Sequence, residues 1–77
     1  MNPRTLRDIR RIACPELETP QGIIQTPHVV ELSNGKVVRY YPLTRELPYT
    51  EWMRNRLRLC RNEQGEMTLW DDKEPVI

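Results

Sequence analysis

Phenylalanine is absent from this chain of 77 residues, and histidine occurs only once. Glycine occurs three times and cysteine twice. Each shortage removes a class of function. A lone His28 leaves little scope for imidazole chemistry, and no Ser or Cys stands in a supporting nucleophile motif. Cys14 precedes a proline and Cys60 falls inside an expected strand, so neither has the helix-terminus setting of a reactive thiol. Gly22, Gly35 and Gly65 are too scattered to form a phosphate-cradling loop. Cys14, His28 and Cys60 lack both the short spacings and the fourth ligand of a structural zinc site. No enzymatic activity, cofactor or metal is expected. The cysteines read as two reduced, partly buried thiols, because a disulfide-framed domain of this size carries more of them.

Long apolar runs are also missing. Nothing approaches the ~20 residues that cross a bilayer as a helix, so no membrane partner is expected. The first residues contain no apolar signal segment. Arg4, Arg7, Arg10 and Arg11 give a basic start, but Asp8 and the lack of serine there speak against a transit peptide. A bacterial-type cytoplasmic protein is the default expectation, with a mature form whose signal has been removed as the alternative.

What is present is 38% hydrophobic and 30% charged, with only 6% aromatic, so Leu, Ile, Val and Met must supply most of the core. The length fits one small domain, 1–77, with loose ends at about 1–4 and 73–77. Such a chain buries only a little over ~60% of its unfolded surface, and a partner chain is a usual supplement. The net charge is +1, but it is unevenly spread. Residues 54–61 hold Arg54, Arg56, Arg58 and Arg61 with no acid, and residues 63–74 hold five acids and one lysine. These blocks look arranged to meet each other.

The expected fold is mainly β, with a small α+β variant as the alternative. Its frame is an antiparallel sheet built from two hairpins, about 28–41 and 56–72. In the first, Asn34-Gly35 between β-formers signals a type I′ turn, whose central residues both need positive φ. A two-residue loop pairs Ser33 with Lys36, Leu32 with Val37, Glu31 with Val38, and onward to His28 with Tyr41. His28 then reads as a strand-edge residue stacked on Tyr41. In the second hairpin, Asn62-Glu63-Gln64-Gly65 fits a type I turn closed by a glycine bulge. Arg61 then pairs with Met67, Leu59 with Leu69 and Arg58 with Trp70. Arg56 is placed to meet Asp72.

Three segments are less regular. Residues 2–13 offer a short helix, with Asn2 as cap, Pro3 at the first position and Leu6, Ile9, Ile12 and Ala13 on one face. A strand from Arg10 to Cys14 is the alternative, and the helix is preferred. Residues 15–27, with three prolines, form an extended connector with room for a strand at Gly22 to Gln25. Residues 42–53 cross the sheet, with Thr44 capping a turn of helix and Leu43, Leu47 or Trp52 entering the core.

For function, the sequence favours a small non-enzymatic protein-interaction module that self-associates as a homodimer or docks on a larger protein. Both hairpins carry apolar residues on their second faces, and near-zero charge removes long-range repulsion between copies. The alternative is a weak single-stranded nucleic-acid binder using Arg54, Arg56, Arg58 and Arg61 with nearby aromatics. Against it stand an isoelectric point near 7.8 and the acids opposite the arginine strand. The candidate interaction residues are Arg54, Arg56, Arg58, Arg61, Tyr40, Tyr41 and Trp70.

Overall fold

The computed structural model describes residues 9–76, and the regular structure within them is strand throughout. In chain order the strands are β1 (Ile9–Cys14), β2 (Leu17–Thr19), β3 (Gly22–Ile24), β4 (His28–Ser33) and β5 (Lys36–Pro42). They continue as β6 (Thr50–Trp52), β7 (Leu57–Arg61), β8 (Met67–Asp71) and β9 (Glu74–Pro75). The first sheet runs β5-β4-β1-β6 and the second β3-β2-β7-β8-β9.

Both hairpin turns form as their residues dictate. Asn34 and Gly35 take φ of 53° and 76°, as a type I′ turn demands. Gly65 takes φ of 82° and its N–H donates to the Asn62 carbonyl at 3.0 Å, closing the second turn. The Asn62 side chain accepts from the N–H groups of Gln64 and Glu66, both at 2.9 Å, which explains asparagine at that position. Arg58 pairs with Trp70, Leu59 with Leu69, Cys60 with Thr68 and Arg61 with Met67, the expected register.

The first hairpin keeps its expected register only next to the turn. Leu32 faces Val37, but Glu31 then faces Arg39, Val30 faces Tyr40, Val29 faces Tyr41 and His28 faces Pro42. Val38 is the extra residue of a bulge and lies 53% exposed. The slip brings Arg39 directly beside Glu31. His28 is not an edge residue: β4 lies between β5 and β1, and the ring is buried, with Nδ1 2.9 Å from the Thr26 carbonyl oxygen.

The helix expected over 2–13 is not formed where it can be seen. Ile9–Cys14 is strand, paired antiparallel to β4 throughout, and residues 1–8 lie outside the described ones. Ile12 faces Val30 and both are fully buried, so cross-strand packing decides against the helical spacing. No helix starts at Thr44, and Trp52 lies 53% exposed on β6 instead of in the core. Residues 73–76 are not loose, because β9 pairs with β8 and Val76 is buried, its N–H donating to the Leu69 carbonyl at 2.8 Å.

Two chain segments connect the sheets. Residues 9–19 bend at Pro15-Glu16, leaving the first sheet as β1 and entering the second as β2. Residues 50–61 bend at 53–56 and do the same as β6 and β7. The two segments run parallel, β1 beside β6 and β2 beside β7. Met53 N–H donates to the Ala13 carbonyl at 2.9 Å and Leu57 N–H to the Glu16 carbonyl at 3.2 Å, so pairing carries through the bend. The core sits between the sheets: Ile12, Cys14, Val30 and Leu32 from the first, Leu17, Leu57, Leu59 and Leu69 from the second.

Candidate interaction surface

Strand alternation in β7 buries Leu57 and Leu59 and turns Arg58 and Cys60 to the outer face of the second sheet. Pairing extends that face sideways. Glu18 stands beside Arg58, Ile23 beside Glu18, Trp70 beside Arg58 and Pro75 beside Trp70. One row of side chains thus crosses all five strands: Ile23, Glu18, Arg58, Trp70, Pro75.

Trp70 is fixed in this row. Its indole N–H donates to Thr68 Oγ1 at 2.9 Å, and that hydroxyl donates to the Cys60 carbonyl at 2.7 Å. Beside the row lies an open depression of about 450 Å³, lined by Glu18, Asn55, Arg56, Arg58, Asp71 and Asp72. Three acids and two arginines share it, so it has no strong single sign. Arg56 pairs with Glu16 at 2.9 Å rather than with Asp72, because Glu16 sits at the bend beside it. Asn55 Nδ2 donates to Asp71 Oδ1 at 3.3 Å.

The seven residues singled out by sequence fall in separate places. Arg56, Arg58 and Trp70 share the outer face of the second sheet. Arg54 is exposed at the bend, and Arg61 turns back to donate to the Gly65 carbonyl at 2.7 Å. Tyr40, 39% exposed, borders a second depression with Thr19, Gln21, Gly22, Ile23 and Ile24. Tyr41 points to the other face of the first sheet, where its hydroxyl donates to Glu31 at 2.6 Å. The arginines do not form one stripe.

Sequence reasoning missed the Glu31 cluster. This carboxylate is only 3% exposed and accepts from Arg11 at 3.1 Å and Arg39 at 2.6 Å, besides Tyr41. Burial pushes its carboxyl up, but the hydrogen bonds from Tyr41, Arg39 and Arg11 together hold it below its ordinary 4.5. Burial and the bond to Glu31 raise the Tyr41 hydroxyl. The one signal that could have found it is a lone acid inside the otherwise apolar stretch Val29-Val30-Glu31-Leu32 of an expected strand. Two further ion pairs, Arg10 with Glu51 at 2.9 Å and Lys36 with Glu66 at 2.8 Å, tie distant segments together.

Cys14 and Cys60 are unbonded. Cys14 lies in the core, where burial pushes its thiol up to about 11, and Cys60 is exposed. Among the described residues no three His, Cys, Asp or Glu are grouped to hold a metal ion, and no helix is long and apolar enough to cross a membrane. Comparison with known family models, curated proteins and solved structures finds no match to this chain.

Proposed function

We propose that this chain is a small, non-enzymatic protein-interaction module of the cytoplasm that associates with a copy of itself or docks on a larger protein. The observation that carries the reading is the outer face of the second sheet. It is a five-stranded surface that no other described strand covers, with an anchored tryptophan, a half-exposed isoleucine and charges of both signs. Aromatic anchors within a mixed polar rim are what protein interfaces favour. Tyr49, 95% exposed, and Trp52 add aromatic area at another edge.

Single-stranded nucleic acid is the second reading, supported by Arg58 standing beside Trp70. Against it, Arg56 is paired with Glu16, Arg61 is turned to its own turn, and Arg58 shares an open depression with three acids, Glu18, Asp71 and Asp72. Size-exclusion chromatography with light scattering, at two salt concentrations and with a random oligonucleotide, separates the readings. A mass above the monomer that rises with concentration supports the interaction module. A monomer that binds oligonucleotide, with affinity falling steeply as salt rises, overturns it.

A further inference from the structure

Neighbouring strands in a sheet lie about 4.8 Å apart. In the second sheet four consecutive strands set Ile23, Glu18, Arg58 and Trp70 side by side on the outer face, each the direct partner of the next. The order is apolar, acidic, basic, apolar. A two-fold axis parallel to the strands, midway between β2 and β7, turns that order onto its own complement. Glu18 of one copy then meets Arg58 of the other, and Arg58 meets Glu18. Ile23 of each copy meets Trp70 of the other at the two ends. We propose that this outer face is an isologous interface between two copies of the chain, which makes specific the self-association proposed above and rests on it.

Three observations support the second copy as the occupant. Glu18 and Arg58 form no ion pair with each other or with any other described residue, although their backbones are adjacent. Two residues earlier on the same two segments, Glu16 and Arg56 do pair, at 2.9 Å. The inner charges are thus available to a partner while their neighbours are not. Secondly, the arrangement selects its own register. An axis through β2 would set Glu18 against Glu18, and an axis through β7 would set Arg58 against Arg58. Both cost like-charge repulsion, so only the midway axis satisfies all four residues. Thirdly, Ile23 is 45% exposed and Trp70 is held by Thr68, so apolar area flanks the charges without ordering a loose side chain. Strands of two to five residues give a face of roughly a few hundred Å² per copy, so the dimer belongs to the weak, concentration-dependent class.

The test is sedimentation equilibrium on the full chain across micromolar to millimolar concentration. Glu18→Arg and Arg58→Glu should each weaken self-association about tenfold or more, because each sets like charges together twice. Mixing these two variants should restore dimers, since every contact of the mixed pair is again opposite in charge. The double variant E18R/R58E keeps the adjacent charges within one chain balanced, which protects folding. It should dimerise with itself yet fail to mix with the wild type. Circular dichroism checks that each variant is folded. If the wild type dimerises and both single variants do so equally well, the interface lies elsewhere and only this proposal falls. If the double variant mixes freely with the wild type, this proposal falls as well. If the wild type stays monomeric throughout, the proposal and the self-association reading fall together.

Discussion

Glu31 interrupts the apolar run His28-Val29-Val30-Glu31-Leu32 and draws a cation from either side, Arg11 from β1 and Arg39 from β5. Its native carboxyl is held below the ordinary value, so the unfolded chain binds more protons than the folded one as pH falls. The stability it contributes is present above about pH 4.5 and is lost as pH drops through its lower native value. Glu31→Gln should therefore cost about 1–3 kcal/mol at neutral pH. Urea midpoints should show that gap closing in acid. Glu51 and Glu66 are also held low by their cations, but they act in both proteins and cancel in the difference. A gap that stays constant down to about pH 3 would mean that its cost does not come from the ionised carboxylate, and a gap of zero at neutral pH would remove the cluster from the stability of the fold. The two thiols give a second residue-scale expectation. With native protein at pH 8, iodoacetamide should modify Cys60 alone. Cys14, fully buried and with its thiol pushed up to about 11, should react only after unfolding, and mass spectrometry separates the cases.

At the scale of elements, what was legible was what is local. Asn34-Gly35 and Asn62…Gly65 specify their turns through positive φ and side-chain bonds, so both hairpins could be read. Of the outer face, the pair Arg58–Trp70 followed from the second turn alone. The rest was set from afar. No neighbour in sequence announces the bulge at Val38, which is the register that brings Arg39 to a glutamate already bound by Arg11. Leu6, Ile9, Ile12 and Ala13 have helical spacing, yet β4 captures Ile9–Cys14 as a strand. Leu17-Glu18-Thr19, between two prolines, is too short to announce itself, and so the Glu18 partner of Arg58 stayed hidden. The turn itself is testable. Gly35→Val sets a β-branched residue where φ is 76°, and should destabilise by well over ~1 kcal/mol. An unchanged denaturant midpoint would mean that the turn tolerates the substitution and that its glycine is dispensable.

For the whole molecule, the parallel course of residues 9–19 and 50–61 governs how the chain can be divided. Everything up to β5 and everything from β6 onward each supply strands to both sheets. The first part brings Ile12, Cys14, Leu17, Val30 and Leu32 to the core, and the second brings Leu57, Leu59, Leu69 and Val76. Neither part holds a closed core alone, and the stretch from Leu43 to Tyr49 is the covalent link between them. Among the described residues that link accepts or donates few bonds: Leu43 N–H donates to the Pro27 carbonyl at 3.0 Å, and the Pro48 carbonyl accepts from Arg11 at 3.2 Å and from the Thr50 hydroxyl at 3.3 Å. Tyr49, at φ of 56° and 95% exposed, presents its far end to solvent. The connector thus acts as a tether that sets a local concentration, of order millimolar for a short flexible span. Cutting it converts one folding reaction into a binding reaction between two halves. Peptides 1–46 and 47–77 should each be unstructured alone and should regain strand circular dichroism when mixed at high concentration. Two peptides that remain unstructured together would show that the tether does more than hold its ends near. If they do recombine, this 77-residue chain is a natural split protein, whose assembly can be switched by bringing two fused partners together.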